Sequence, residues 1–322
     1  MKKTENKMIS SLRLAEICGV TQGTVDRALH NRAGINPETR QRILAAARYH
    51  GYVPHPAVGE LLRGTCRNLI ALVPKFNGHF FMDLVTAIQE GVCRLGYRLL
   101  ISAVSDEAGT LETLGEFAAR RFPAAIIIPP VDNLKIPAPL AGAIKIISLL
   151  SPCQGKGTFF ITPDEEQTGR DAVKFLTSKG HRHILHLTFQ REAYAISARQ
   201  RGYEKAMMGR GLKPRVLRQP AEDDLIELIR RENITALFCH NDWLALSAMR
   251  VLARHGLKTP ENISVLGVDN SPSFTALFPD ITTLEYPVGW VREQVCRVIC
   301  GKRQSVTPPK FKLIERKTIR AI

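Results

Sequence analysis

The sequence predicts two folds in one chain: a small all-α module at the N-terminus, and a larger α/β body of two subdomains with a cleft between them. Apolar residues in the first 50 positions follow a helical period. From Asn68 onward, short β-branched runs alternate with amphipathic segments of helix length. The chain has 322 residues, 44% of them hydrophobic, which is enough for a small module and a separate large core.

Three short helices are predicted in the N-terminal module. Each begins at a residue whose side chain can accept a hydrogen bond from the first helical turn, namely Ser10, Thr21 and Asn36. Gly19 permits a tight turn after the first helix, and Pro37 suits the first position of the third. The predicted helices run from Ser10 to Cys18, from Gln22 to about Asn31, and from Pro37 to just before Gly51.

The second predicted helix has an apolar face and a polar face. Its apolar residues are Val25, Ala28 and Leu29, which are expected to face a core made with Leu14, Ile17, Val20, Ile43 and Ala47. Its polar face carries Gln22, Gly23, Asp26, Arg27 and His30. Arginine can bond guanine, and glutamine can bond adenine, through two hydrogen bonds in the major groove. This pattern indicates a helix-turn-helix, although an all-α packing module would show the same periodicity.

The charge balance favours a polyanionic partner. The chain carries 45 Lys and Arg residues against 30 Asp and Glu residues, a formal charge of +15, with ten basic against five acidic residues through Arg63. A merely soluble basic protein would have the same balance. The seven cysteines form no CxxC pair and predict reduced thiols rather than disulfides or zinc sites. No apolar run has the length of a signal peptide or membrane span, so a cytoplasmic protein is expected.

The body is predicted to contain parallel sheets that are buried on both faces. Strand-like runs occupy 69–73, 99–104, 125–130, 144–150, 184–187, 236–239 and 263–268, with a final strand at 311–314. Amphipathic segments of helix length lie between most of these runs, for example at 82–95, 166–179, 197–210, 222–231 and 242–255. The number of alternating strands and helices is too large for one modest sheet. It favours two subdomains with a ligand cleft between them. Residues 51–64 contain two prolines and three glycines, which is typical of a hinge.

The run LAEICGVTQGTVDRALHNRAGINPETRQRILAAARYHGYVP resembles, without gaps, the DNA-binding headpiece of the lac-repressor (LacI) family. The resemblance implies that Thr21, Gln22, Gly23 and Arg27 contact bases or face the groove, and that Thr24 contacts a phosphate. Asp26 departs from the family pattern, which has serine there. A carboxylate at that position is repelled by phosphates unless it accepts a hydrogen bond from cytosine N4 or pairs with a nearby base.

By the same resemblance, the segment after Pro54 becomes a short helix on the operator, and Leu61 takes the position of an apolar wedge in the minor groove. Gly59 within this segment costs about 1 kcal/mol of helix stability relative to alanine. The alternative is that Leu61 and Leu62 are an ordinary apolar pair in a linker.

From Asn68 to about Tyr286, the chain resembles the periplasmic-binding-protein-like body of this family. The motifs are TGRDAVKFLTSKGHRHILHL, ARQRGYEKAM, TALFCHNDWLALSAMRVLARHG, ENISVLGVDN and FPDITTL. The resemblance implies effector-binding roles for Phe81, Asp164, Arg199, Asn241, Asp242 and Asp269. Carboxylate, guanidinium and amide groups together suit a sugar or another small polar metabolite. Trp243 either stacks on a sugar ring or belongs to the core.

These observations predict a homodimeric transcription regulator, most simply a repressor of a carbohydrate-utilisation operon, that binds a near-palindromic DNA operator and a small-molecule effector. The predicted domains are a headpiece at 1–53, a hinge at 54–66 and an effector-binding and dimerisation domain at 67–322. Induction and corepression both fit, as do a dimer and a tetramer.

Two rival functions are a cytosolic sugar-binding protein and a sugar-modifying enzyme. An enzyme is expected to carry a nucleophile elbow, a phosphate loop or a metal set, and the sequence has no GxSxG, no GxxxxGK[ST] and no GxGxxG. No catalytic residue, cofactor or metal is therefore predicted. His181, His183 and His186 are expected to be satisfied or surface histidines, because strand alternation separates them.

Overall fold

The computed structural model describes residues 9–52, 66–74, 79–190, 193–219, 221–304 and 307–322. The chain divides into two compact units, Met1–Cys66 and Arg67–Ile322, which are considered separately below as the headpiece and the body. Gly59, Leu61 and Leu62 of the predicted hinge lie outside the described residues.

The headpiece contains the three predicted helices: α1 Ser11–Cys18, α2 Gln22–Leu29 and α3 Pro37–Tyr49. Each predicted cap is confirmed. The side chains of Ser10, Thr21 and Asn36 accept backbone hydrogen bonds from residues in the first turns, at 3.1, 3.3 and 2.9 Å. Gly19 ends α1 in the left-handed region at φ 60°, which glycine adopts without steric cost.

The headpiece core is small and agrees with the prediction except at Ile17. Its buried members are Leu14, Ala15, Cys18, Val25, Ala28, Ile43 and Ala47. Ile17 is 41% exposed, so the prediction that it faces the core is wrong. At 100° per residue, Leu14 and Cys18 lie 40° apart on α1, whereas Ile17 lies about 60° from Leu14 on the far side from Cys18. Ala15 completes the buried face instead.

The body contains two main sheets. The first has five parallel strands in the order β2-β1-β3-β5-β7, and the second has six strands in the order β13-β12-β11-β10-β8-β9, parallel except for β13. A two-stranded pair, β4 and β6, completes the described strands. Their bounds are β1 Asn68–Pro74, β2 Arg98–Val104, β3 Ala124–Ile127, β4 Leu134–Lys135, β5 Lys145–Leu149, β6 Cys153–Gln154, β7 Thr158–Ile161, β8 Ile184–Thr188, β9 Val216–Arg218, β10 Ala236–Cys239, β11 Ser264–Asp269, β12 Thr282–Glu285 and β13 Lys312–Ile314.

The body helices connect these strands. They are α4 His79–Arg94, α5 Glu107–Ala119, α6 Ala138–Ala143, α7 Glu165–Ser178, α8 Tyr194–Met208, α9 Glu222–Arg231, α10 Asp242–Arg254, α11 Pro272–Thr275 and α12 Val288–Ile299. The chain leaves the first sheet after β7 and builds the second sheet. It then returns in α12, which packs on α4 and β7, before β13 closes the second sheet. The predicted two-subdomain α/β architecture is confirmed. Among the described helices, none is long and apolar enough to cross a membrane.

Helices α7 and α8 pack with unusually close backbones. A Cβ atom at Gly202 would overlap the carbonyl oxygen of Glu166, and one at Gly169 would overlap that of Arg199. Only glycine allows this approach, because any side chain would separate the two helices. The packing holds the N-terminal turn of α7 against the Arg199 side chain.

Candidate functional site

The exposed face of α2 carries most of the predicted DNA-contacting residues. Thr21, Gln22, Gly23 and Arg27 are exposed, and Thr24 is half-buried. The Gln22 amide nitrogen donates to Ser11 Oγ at 2.8 Å, and Arg27 Nε donates to the Gly23 carbonyl oxygen at 3.2 Å. These contacts hold both long side chains against the headpiece surface, with hydrogen-bonding atoms still facing outward.

Asp26 is neutralised within the headpiece. Its two carboxylate oxygens lie 2.9 Å from Arg32 Nη1 and 2.9 Å from His30 Nδ1. Arg40 donates to the Arg32 carbonyl oxygen and, at 2.5 Å, to Asn31 Oδ1, and so orders the turn that presents Arg32. The Arg32 charge offsets part of the phosphate repulsion that an isolated carboxylate on this face would cause.

A cavity of about 390 Å³ lies in the body, lined by residues that follow the carboxyl ends of strands in both sheets. Five of the six predicted effector-binding residues line it: Phe81, Arg199, Asn241, Asp242 and Asp269. Trp243 also lines the cavity and is 53% exposed, so it is not a core residue.

Asp164 is the sixth predicted residue, and it lies outside the cavity lining. Its carboxylate caps α7 by accepting from the Gln167 backbone nitrogen at 2.9 Å. The next residue, Glu165, is fully buried and pairs with Arg199. The run of three acidic residues in TPDEEQTGR was the only sequence signal for a carboxylate at this place.

Arg199 is held by a buried ion pair. Its Nε and Nη2 atoms donate to Glu165 Oε2 at 3.0 and 2.5 Å, and its Nη1 atom donates to the carbonyl oxygen of His240. Burial raises the pKa of Glu165, and the Arg199 charge opposes that rise. Of the five guanidinium N–H groups, two remain for a ligand.

Asp242 and Asp269 form the acidic part of the cavity. Asp242 accepts from Thr283 Oγ1 at 2.6 Å and from the Asn270 backbone nitrogen at 2.8 Å. Burial raises the pKa of Asp242 to about 7. Burial, reinforced by the charge of Asp242, raises the pKa of Asp269 well above its usual range.

Asn241 precedes α10 and caps it. Its side-chain oxygen accepts from the Leu244 backbone nitrogen at 2.9 Å, which is an N-cap geometry. With the oxygen engaged, the amide nitrogen is the group that Asn241 can present to the cavity. Asn241 therefore offers a ligand hydrogen-bond donors.

Strained backbone concentrates at this cavity. Leu150, Gln219 and Asp269 line it with φ angles of 65°, 42° and 118°, and the neighbouring Asn270 has a φ of 50°. Non-glycine residues rarely adopt positive φ, and such residues cluster at ligand sites because surrounding contacts hold them there. This concentration of positive φ angles is typical of a ligand site.

Asp83 joins the two subdomains beside the cavity. This α4 carboxylate accepts from Ser271 Oγ, from Ser273 Oγ at 2.9 Å, and from the Ser273 backbone nitrogen at 3.1 Å. Ser271 itself lines the cavity. The contact therefore connects the ligand-facing segment of one subdomain to a helix of the other, a connection that no sequence pattern indicated.

The three histidines near β8 are engaged in hydrogen bonds. The Nδ1 atoms of His181, His183 and His186 lie 3.0, 2.9 and 2.9 Å from Thr235 Oγ1 and the carbonyl oxygens of Glu232 and Phe238. Within the described parts of the chain, no cluster of metal-ligating side chains occurs.

Comparison with known proteins agrees with this geometry. Residues 14–55 match the sequence model of bacterial regulatory proteins of the lacI family, and residues 173–318 match that of the periplasmic binding protein-like domain. The HTH-type transcriptional repressor CytR of Escherichia coli (strain K12) is 27% identical over 289 residues, spanning 83% of this chain and 82% of that protein. The HTH-type transcriptional regulator DegA of Bacillus subtilis (strain 168) is 26% identical over 322 residues, spanning 92% and 95%.

Solved structures show the same fold. The lac repressor dimer bound to operator and the anti-inducer ONPF superposes with a TM-score of 0.79 at 23% identity, covering 98% of this chain and 100% of that one. A complex of the transcriptional regulator CelR with cellobiose superposes with a TM-score of 0.64 at 21% identity, covering 96% and 99%.

A helix-turn-helix headpiece joined to an α/β body with a ligand cavity defines the class: transcription regulators that bind DNA and respond to a small molecule. In both its headpiece and its body, this chain is similar to the LacI family of bacterial regulatory proteins.

Proposed function

We propose that this protein is a sequence-specific repressor of a carbohydrate-utilisation operon and acts in the cytoplasm, with headpiece, hinge and effector domains at 1–53, 54–66 and 67–322. The exposed face of α2 carries the proposal. Gln22 and Arg27 would read bases, Thr21 and Gly23 would face the groove, Thr24 would contact a phosphate, and Leu61 would wedge the minor groove. The internal neutralisation of Asp26 supports this role, since it makes the face compatible with phosphates.

A small polar metabolite in the cavity would control operator affinity. Phe81, Arg199, Asn241, Asp242 and Asp269 are the proposed contacts. Because both subdomains line the cavity, a ligand that fits one relative arrangement better than another shifts the population between arrangements. Relatives of this fold have been solved with cellobiose and with D-xylulofuranose, which supports a sugar or a sugar derivative.

A homodimer on a near-palindromic operator is supported by the first sheet. Strand β2 pairs only with β1 among the described strands, so its outer edge is open. Leu100 and Ile101 on this strand are 40% and 37% exposed. An unpaired strand with exposed apolar side chains requires protection from solvent and from unwanted pairing. A second copy of the chain, related by two-fold symmetry, would cover it.

Selection from randomised duplex DNA tests the DNA-binding role. The full chain is expected to enrich a two-fold symmetric site with a deformable central step, at a stated salt concentration because phosphate contacts are salt-dependent. Arg27→Ala should weaken binding to the selected site by about 10- to 100-fold. The matched control is Arg48→Ala on exposed α3, which should change affinity much less. If no site is enriched with or without ligand, the chain is not a sequence-specific regulator.

Coupling between the cavity and the operator is tested by isothermal titration. A ligand found for the cavity is titrated into the protein with and without the selected duplex. A change in ligand affinity of at least about 5-fold is expected, and its sign distinguishes induction from corepression. Equal affinities would contradict regulation and favour a plain sugar-binding protein.

A further inference from the structure

The two walls of the cavity differ in chemistry. Among the described residues of the first subdomain, the side chains that line the cavity are apolar apart from His79 and Ser151: Phe80, Phe81, Ile128, Pro129, Leu149 and Leu150. The second subdomain contributes most of the polar groups. A free monosaccharide carries hydroxyl groups around its whole ring, so the apolar wall would strip water from some of them without replacing their hydrogen bonds.

The polar wall is acidic. Among the described residues that line the cavity, Arg199 is the one guanidinium or ammonium group, and Glu165 already neutralises it. Asp242 and Asp269 both face the cavity, and the Asp269 carboxylate accepts no hydrogen bond from a described residue. A phosphate or carboxylate placed here would lose its water and gain no free cation among the described lining residues.

Further polar atoms at this wall lack partners. His240 Nδ1 and the Tyr286 hydroxyl are buried, line the cavity and make no hydrogen bond within the described structure. Buried polar groups are normally paired, so unpaired ones at a cavity indicate bonds that a ligand or bound water completes. With Asp269 they form a short array that suits a ligand bearing several neighbouring hydroxyl or amino groups.

We propose that the cavity takes an uncharged or cationic two-part ligand without an acidic group. A hydroxyl- or amino-bearing part donates to Asp269 and bonds His240 and Tyr286, while an apolar or aromatic ring lies against Phe81 and its neighbours. Nucleosides and aryl glycosides both have this chemistry. The inference rests on the proposed effector role of the cavity and narrows it, since free sugars and sugar phosphates are disfavoured.

Calorimetric titration of the full chain, without DNA, tests the ligand class. The probes are uridine, adenosine and phenyl β-D-glucopyranoside, with uridine 5′-monophosphate, glucose and glucose 6-phosphate as matched comparisons. At least one ring-bearing neutral probe is expected to bind with a Kd below about 1 mM. Uridine 5′-monophosphate should bind at least about 100-fold more weakly than uridine. Glucose and glucose 6-phosphate should bind at least about 100-fold more weakly than phenyl β-D-glucopyranoside. Comparing the nucleosides with the phenyl glycoside shows whether the cavity prefers a nucleobase or a phenyl ring.

Two variants locate the bound probe. Asp269→Asn should weaken binding about 10- to 100-fold, whereas Asp223→Asn, on the exposed first turn of α9, should not. Phe81→Ala should weaken binding about 10-fold, whereas Phe175→Ala, a half-buried residue outside the cavity, should not. Circular dichroism of each variant excludes unfolding as the cause.

Three outcomes overturn the inference: a phosphorylated probe or free glucose binds as tightly as the probe it is compared with, no ring-bearing neutral probe binds with a Kd below about 1 mM, or Asp269→Asn leaves binding unchanged. Because these titrations contain no DNA, they are independent of the operator selection. The two tests can therefore fail separately: the titrations can contradict the proposed ligand class, and the operator selection can contradict the proposed regulator function.

Discussion

The guanidinium of Arg199 lies against the carboxylate of Glu165, with two N–H groups directed at one oxygen and both side chains removed from solvent. Glu165→Gln would leave the guanidinium buried without its counter-charge. We expect the free energy of unfolding to fall by about 3–5 kcal/mol, which is typical of a broken buried pair. Denaturant unfolding measures this loss.

The control for this prediction is Glu227→Gln. Glu227 pairs with Arg231 at 3.1 Å, but both side chains are mostly exposed, so the loss should stay below about 1 kcal/mol. Equal losses in the two variants would mean that Glu165 is not the group that stabilises Arg199.

Close packing of α7 and α8 predicts a large effect at Gly202. Gly202→Ala places a methyl group on the carbonyl oxygen of Glu166, so the helices must separate. We expect a loss of at least about 3 kcal/mol or a failure to accumulate folded protein. Gly115→Ala on α5 is the matched control, because nothing lies within 4 Å of its Cβ position. That change should stabilise the body by about 0.5–1 kcal/mol, and thermal unfolding compares the two.

The raised pKa of Asp242 predicts a pH dependence of stability. The pKa is 3.8 without the protein environment and about 7 in the folded state, so the folded chain holds this proton more tightly. The stabilising contribution of the proton is complete below about pH 4 and is lost as the pH rises through 7. Relative to Asp242→Asn, the unfolding free energy should therefore fall between pH 4 and 7, by at most about 4 kcal/mol.

Charged groups around Asp242 also affect its pKa. Arg199 and Arg316 act on it from nearby, and Asp269 titrates with it. The hydrogen bond that asparagine cannot accept adds an offset that does not vary with pH, so the slope against pH is the quantity to compare. Parallel curves for the two proteins would contradict a raised pKa at Asp242.

Gly23 has no steric reason to be glycine in the free headpiece. A Cβ atom there would lie no closer than 3.9 Å to any neighbour. Gly23→Ala should therefore stabilise the headpiece by about 0.5–1 kcal/mol. We expect it also to weaken binding to the selected operator by about 10-fold, because the methyl group would face a closely approaching base edge.

The control is the opposite substitution, Ala45→Gly, on the exposed face of α3. It should destabilise the headpiece by about 1 kcal/mol without changing the ratio of specific to non-specific affinity. If Gly23→Ala binds the operator as tightly as the unmodified chain, the backbone at this position does not approach DNA closely.

Local sequence determined the elements whose causes are local. The caps at Ser10, Thr21 and Asn36 were predictable because a short polar side chain bonds its own helix a few residues away. The long body helices and the β-branched strands were predictable from their periods, although most boundaries differ by one to three residues. The short strands β4, β6, β7, β9 and β12 were missed, because partners distant in sequence define them.

The features of the candidate cavity also divide into those that the sequence predicted and those that only the structure showed. The sequence by itself determined the class of protein and five of the cavity residues, because the motifs that carry Arg199, Asn241 and Asp269 are contiguous runs. Only the tertiary structure decided that Glu165 pairs with Arg199, that Arg32 forms an ion pair with Asp26, and that the cavity wall from the first subdomain is mostly apolar among the described residues. These features depend on side chains meeting across separate elements, and a one-residue shift at the start of a helix turns a side chain by 100°.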